Sequence, residues 1–132
     1  MPTIPWTAGP ATDPHGDVIV MASQFRLRSL RHVPGFLRAA LAIRRQTRRA
    51  PGAVGVSLRA APLRRTFWTL SAWESREAID ALVAAEPHRT VMRTMRPAMA
   101  SAVFTFWETP ADRLPGWPEA DRRLAEQQRA TP

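Results

Sequence analysis

"TFWTLSAWESREAIDALVAAEPHRTVMRTM", residues 66–95, changes its hydrophobic period partway along. Between Thr66 and Trp73, Phe67, Thr69, Ser71 and Trp73 alternate with Trp68, Leu70 and Ala72, the two-residue period of a strand. Beyond Trp73 the period lengthens. Ser75 is placed to cap a helix, acids occupy its early turns, and Ile79, Leu82 and Val83 recur at helical spacing on an inward face. Pro87 interrupts that helix and opens the next one as its first residue. There His88, Met92, Met95 and Met99 follow at i, i+4, i+7 and i+11 and share one face, with Arg89, Arg93 and Arg96 on the neighbouring stripe. This helix ends near Pro97.

Working outward, "AVGVSLRA" (53–60) alternates Val54, Val56 and Leu58 on one face, and the turn "APLRR" joins it to the strand ending at Trp73 as a hairpin. Upstream, "VPGFLRAALAIRRQTRRAPG" (33–52) places Phe36, Leu37, Ala40, Leu41 and Ile43 on one helical arc, with cations in the last turn and a Pro-Gly stop. Arg44 falls on the apolar arc, where it either snorkels out near the helix end or clamps a buried anion. "DVIVMASQFRLR" (17–28) begins apolar on both alternate sets, as a strand covered on two sides does. "AVFTFWE" (102–108) is the last strand. The order strand, helix, strand, strand, helix, strand is the ferredoxin-like βαββαβ arrangement of an α+β domain, here over residues 17–109.

Residues 1–16 hold four prolines and two glycines and read as a flexible N-terminal arm. Residues 110–132 read as a polar, Pro-rich tail with a short helix over 118–129. Between them neither sheet face is polar enough to stay wet: Val18, Val20, Trp68, Leu70, Phe104 and Phe106, or the alternates Trp73, Val103 and Trp107, are left over once one face meets the helices. Exposing several such side chains costs about 1.5–3 kcal/mol each relative to burial. The economical cover is a second copy, giving a homodimer with a shared barrel. A nucleic acid on the sheet is the competing cover.

At 132 residues the chain is one domain's length, and no stretch reaches the roughly 18–20 unbroken apolar residues of a membrane span. The N-terminus lacks a basic region followed by an apolar run, so the cytoplasm is the expected location. The absence of cysteine excludes disulfides, thiolate nucleophiles and thiolate metal sites. Three scattered histidines and no acid cluster at ligand spacing argue against a metal site, and "GAVG" lacks the lysine and helix of a phosphate loop. All 19 basic residues are arginine, and together with the many alanines this is a composition bias that discounts arginine richness as a signal. Their distribution is more telling: from Val18 to Trp73 there is no acid, so that segment attracts anions.

At "FWTLSAWESREAIDALVAAEPHRTVMR" (67–93) the chain resembles the antibiotic biosynthesis monooxygenase family of the dimeric α+β barrel superfamily, and it is similar to small relatives classed as domains of unknown function. The matching features are a strand ending in Trp73, the acidic, Ser-containing helix start at Glu74 and Ser75, and the histidine of "EPHR". The likeness covers about residues 17–109. It implies a homodimer with a pocket between sheet and helices; the superfamily includes cofactor-independent quinone-forming monooxygenases, haem-using enzymes and non-enzymatic members, so the reaction stays open.

His88 then has three readings: a packing or capping residue, a general base towards a phenolic substrate, or an axial ligand if haem is used. No cofactor is the first expectation and haem the second. Trp68, Trp73, Met92 and Met95 are candidate walls for an aromatic or polycyclic substrate, although ordinary core, the favoured account, needs no substrate. Arg26, at a barrel mouth with Gln24 one step deeper, and Arg44 are candidates for balancing negative charge. His32 sits before the first helix, where anions bind. A monooxygenase-like oxidoreductase acting on an aromatic small molecule is the leading expectation, with a haem-binding member next and a non-catalytic anionic-ligand or RNA-binding module third. RNA-binding sheets carry a Lys/Arg-Gly-Phe signature that this chain lacks, and acids follow its last strand.

Overall fold

The computed structural model describes residues 2–11 and 16–130. Five antiparallel strands form one sheet in the order β1-β3-β4-β2-β5: β1 Thr3–Ala8, β2 Asp17–Leu27, β3 Ala53–Ala61, β4 Thr66–Trp73 and β5 Met99–Pro110. Helices α1 (Val33–Thr47), α2 (Arg76–Ala84) and α3 (His88–Met95) lie between strands, and α4 (Trp117–Ala130) follows the last one. The kernel is the expected ferredoxin-like βαββαβ fold, with β1 added to one edge and α4 to one face.

The register of the central β2 decides which side chains share a layer. Met21 stands opposite Ser71 and Phe106, Ser23 opposite Thr69 and Phe104, and Phe25 opposite Phe67 and Ala102. This layer meets α1, α2 and α3, with Phe25, Leu27, Phe36, Phe67 and Met99 in one cluster and Ala53, Trp73, Ile79 and Leu82 in another. Val18, Val20, Leu70, Trp68 and Trp107 point to the opposite side. Phe104 and Phe106 therefore do not side with Val18 and Val20 as expected, because Val20 pairs with Trp107 and parity sends the two phenylalanines the other way. Val54 also changes sides: an irregularity between Ala53 and Gly55 turns it towards the cluster of Val18, Val20 and Leu70 and away from Val56.

The greasy second face has an intramolecular cover. Ala120 and Leu124 of α4 are buried against Val18, Val20, Leu70 and Trp107. Arg59 of β3 lies between the rings of Trp68 and Trp117, 4.3 and 4.4 Å from their centroids, and pairs both guanidinium ends with the Asp121 carboxylate. Arg123 covers Trp107 at 4.6 Å, and Trp117 donates to Ser57 Oγ at 3.2 Å. Thus the tail expected beyond residue 109 is part of the domain, and its helix spans the wider range Trp117–Ala130. With this face occupied, the need for a second subunit to bury it lapses.

The N-terminal arm is corrected likewise. Thr3 and Ile4 pair with Arg59 and Leu58, and Thr7 and Ala8 with Val56 and Gly55. Pro5 falls at the irregularity between Ile4 and Thr7, and an edge strand tolerates proline because one row of its N–H groups has no ladder to join. Trp6 Nε1 donates to Pro115 O at 3.2 Å, tying arm to tail. Met1 and residues 12–15 of that arm, and residues 131–132 of the tail, lie outside the described residues.

α1 ends where the Pro-Gly stop predicts. Gly52 has φ +85°, and a Cβ there would stand 2.6 Å from Ala78 Cβ, so the turn requires glycine on both conformational and steric grounds. Three side chains expected to face inward do not: Leu37, Leu41 and Val83 are exposed, because the helical apolar arcs are wider than the sheet area they cover.

Candidate functional site

Between the sheet and α1–α3 lies a cavity of about 70 Å³. Its floor is the cross-strand row of Met21, Ser23, Thr69 and Ser71, and Trp73, Arg44, His88 and Met92 stand in its wall. The Ser23 and Thr69 hydroxyls hydrogen-bond each other, and Trp73 Nε1 donates to Ser71 Oγ at 2.9 Å. The floor's polar atoms are thereby satisfied among themselves.

Two wall residues are not. His88 opens α3, held there by its backbone N–H, which donates to Gln46 Oε1 at 3.0 Å, while Gln46 Nε2 donates to Leu82 O at 3.2 Å. Its imidazole Nδ1 is buried with no hydrogen-bond partner. Burial disfavours the imidazolium and holds the pKa below the ordinary histidine value, so the ring is neutral at pH 7 and can accept a proton. Arg44 does not snorkel free: Nη2 donates to Thr7 Oγ1 of β1 at 2.8 Å, and its Nε is buried without a partner. An unmet buried polar group costs about 1–3 kcal/mol. A proton acceptor and a cationic donor, each with unused capacity, thus stand in the wall of an otherwise apolar cavity.

Of the residues anticipated at a site, the fold brings together His88, Arg44, Trp73 and Met92. Trp68 is across the sheet, stacked on Arg59 with Nε1 donating to Gln24 Oε1 at 3.1 Å. Met95 packs with Phe25, Phe36 and Phe67 instead of lining the cavity. Arg26 is exposed at its strand end, beside Arg64, Arg65 and Trp68 in a shallow depression. Ser23, Thr69 and Phe104 line the cavity without having been singled out; two hydroxyls facing each other on neighbouring apolar strands were the available signal.

A haem does not fit this site as it stands. A single benzene occupies an engineered cavity of about 150 Å³, so the about 70 Å³ here is far short of a tetrapyrrole. Among the described residues no three His, Asp or Glu side chains gather as metal ligands, and no helix is long and apolar enough to cross a membrane. Trp68 and Trp107, the rings a nucleic acid would stack on, are buried beneath Arg59, Arg123 and α4.

Sheet and helices give a fold shared with antibiotic biosynthesis monooxygenase-like proteins. A cofactor-independent oxygenase from Streptomyces nogalater, SnoaB, superposes with a TM-score of 0.59 at 15% identity, over 75% of this chain and 98% of that one. A protein from Nitrosomonas europaea assigned by name to the antibiotic biosynthesis monooxygenases gives 0.61 at 18%, over 73% and 91%. Another so assigned, from Caulobacter crescentus, gives 0.61 at 15%, over 71% and 91%. At such identities the likeness concerns the fold. The chain itself belongs to the DUF3291 family, a domain of unknown function whose model matches residues 7–132. No curated protein matches it.

Proposed function

We propose that this monooxygenase-like protein binds a small aromatic molecule carrying an acidic hydroxyl and oxidises it with molecular oxygen. The observation that carries this reading is the pair of unpartnered buried polar atoms, His88 Nδ1 and Arg44 Nε, on residues that line one apolar cavity. The substrate hydroxyl gives its proton to His88 Nδ1, and Arg44 holds the resulting phenolate or enolate. The electron-rich anion reacts with oxygen at an unsubstituted ring carbon ortho or para to the hydroxyl: one oxygen atom becomes a carbonyl on that carbon, and the other leaves as water with the carbon's single hydrogen and the proton held by His88, giving a quinone. At about 70 Å³ the cavity suits less than one ring until a wall side chain gives, so a one-ring substrate is favoured over a polycyclic one.

The test is oxygen uptake against a panel of hydroxyarenes, with binding followed by tryptophan fluorescence. His88→Gln is expected to lower kcat by about 10²-fold or more with affinity little changed, and Arg44→Gln to weaken affinity. Uptake that survives His88→Gln, or a panel that neither binds nor reacts, overturns the proposal.

Homodimerisation is proposed on a different basis from the covered face. β5 is an outer strand whose Phe104, 41% exposed, both lines the cavity and stands open, with Phe106 exposed two residues on. A second copy along this edge would close the cavity wall. Sedimentation at micromolar concentration is expected to find dimers that Phe104→Asp dissociates; single subunits in the unaltered protein refute this.

A further inference from the structure

A second apolar hollow adjoins the cavity on the β1 side. It measures about 280 Å³ and runs between β1 and α1, lined by Ile4, Leu37 and Leu41. Phe36, Ala40, Leu58 and Thr69 line both spaces, so one layer of side chains separates them. Leu37 and Leu41 are 42% and 39% exposed although they belong to the apolar arc of α1. One turn beyond them on the same helix comes Arg44, bonded to Thr7 as β1 passes. Along this side of α1 the order is Leu37, Ala40 and Leu41, then Arg44: an apolar run closed by a cation.

We infer that the groove between β1 and α1 holds the alkyl tail of an amphiphilic substrate whose ionised hydroxyl rests at Arg44, so that the ligand class is an alkyl-substituted phenol or enol and not a bare ring. Groove and cavity together reach the lower end of the about 300–1,000 Å³ that ligand sites occupy, which the cavity alone does not. A hydrocarbon chain suits the groove because its walls are mostly apolar side chains, the one arginine among them, Arg59, being already paired with Asp121, and Arg44 in the wall of the adjoining cavity fixes the chain's polarity. Phe36 is the separating side chain with the largest swing. Its ring lies against Phe25 and Phe67 at 5.5 and 4.8 Å, so a move of that ring would join the two spaces.

This inference rests on the cavity reading above, and the experiment separates the two. Phenol and a series of 4-alkylphenols of increasing chain length are titrated into the full chain by tryptophan fluorescence. Affinity is expected to rise about fourfold per methylene and then level off once the groove is full. In Leu41→Asp, and in Leu37→Asp as a second variant, the ratio of long-chain to phenol affinity is expected to collapse, with unchanged circular dichroism showing that the exposed substitution is tolerated. Phenol binding with no dependence on chain length overturns the groove while sparing the cavity. Absence of binding by phenol and the whole series overturns both. A slope that persists in both aspartate variants places the chains elsewhere and overturns the groove. So does a change of sedimentation with no change of slope in those variants, since the groove is then a contact between copies of the chain.

Discussion

Replacing Asp121 by alanine tests how α4 is fastened. The substitution removes the carboxylate that takes both ends of the Arg59 guanidinium and leaves a cation that is 8% exposed between two tryptophan rings. Breaking a pair buried on both sides costs about 3–5 kcal/mol. Here the Asp121 side chain is 51% exposed, so water already screens part of the attraction. A loss of about 1.5–2.5 kcal/mol is expected, within the range for a hydrogen bond to a charged group. For a domain of this size that is a fall in Tm of roughly 6–10 °C. Arg59→Met in the same chain removes the stranded charge and keeps an unbranched side chain between the rings, so the double variant is expected to be at least as stable as Asp121→Ala alone. Urea denaturation of the four species gives the coupling, and hydrogen exchange reads the opening of α4 directly. Asp121→Ala within about 0.5 kcal/mol of the unaltered protein, with α4 amides equally protected, would refute the reasoning.

Removal of residues 114–132 uncovers Trp68 and Trp107, and the shortened chain is expected to self-associate at micromolar concentration and to bind a hydrophobic dye; a monomeric, dye-silent product contradicts the assignment of α4 as the cover. Gly52→Ala adds both left-handed strain and a contact with Ala78, for a loss of about 2–4 kcal/mol measured by denaturation; Gly52→Ala with Ala78→Gly should recover the steric share only. For His88 the pH dependence follows from its lowered pKa: between the unfolded value near 6.5 and the lower folded value, the unfolded chain binds more protons, so this contribution to stability is complete above pH 6.5 and is lost as pH falls below it. His88→Gln is expected to flatten the stability profile between pH 6.5 and 5, a window above the carboxylate range, and an unchanged slope would show that another group titrates there.

The βαββαβ kernel was legible because each element carries its own period: two residues in "TFWTLSAW", 3.6 in the segments beginning at Ser75 and Val33. β1 was not, since a short strand preceded by Pro2 and interrupted by Pro5 has no period to show; it exists through its ladder with β3, a long-range fact. α4 was visible as a helix but not as a cover. Its hold on the sheet comes from Arg59 and Arg123 lying on indole rings and from Asp121 pairing with Arg59, whereas only Ala120 and Leu124 of the helix are fully buried apolar side chains. Charged residues doing the covering look in a sequence like a solvated tail. Strand parity already put Trp68 and Trp73 on opposite faces, so they could not line one cavity, whereas the partners of Phe104 and Phe106 depended on a pairing register that no local pattern encodes. His88 and Arg44 were both noticed as polar side chains out of place on apolar stripes. Their meeting across α1 and α3 is tertiary.

Arg59 and Asp121 are 62 positions apart, and during synthesis that interval is time. At about 5–20 residues per second, the 48 residues that follow Trp73 at the end of the hairpin, up to and including Asp121, take roughly 2–10 s to be made. A nascent chain therefore displays the Trp68 indole and an unmatched guanidinium while the ribosome is still at work. Apolar surface left open for that interval is surface to which chaperones and neighbouring chains can bind.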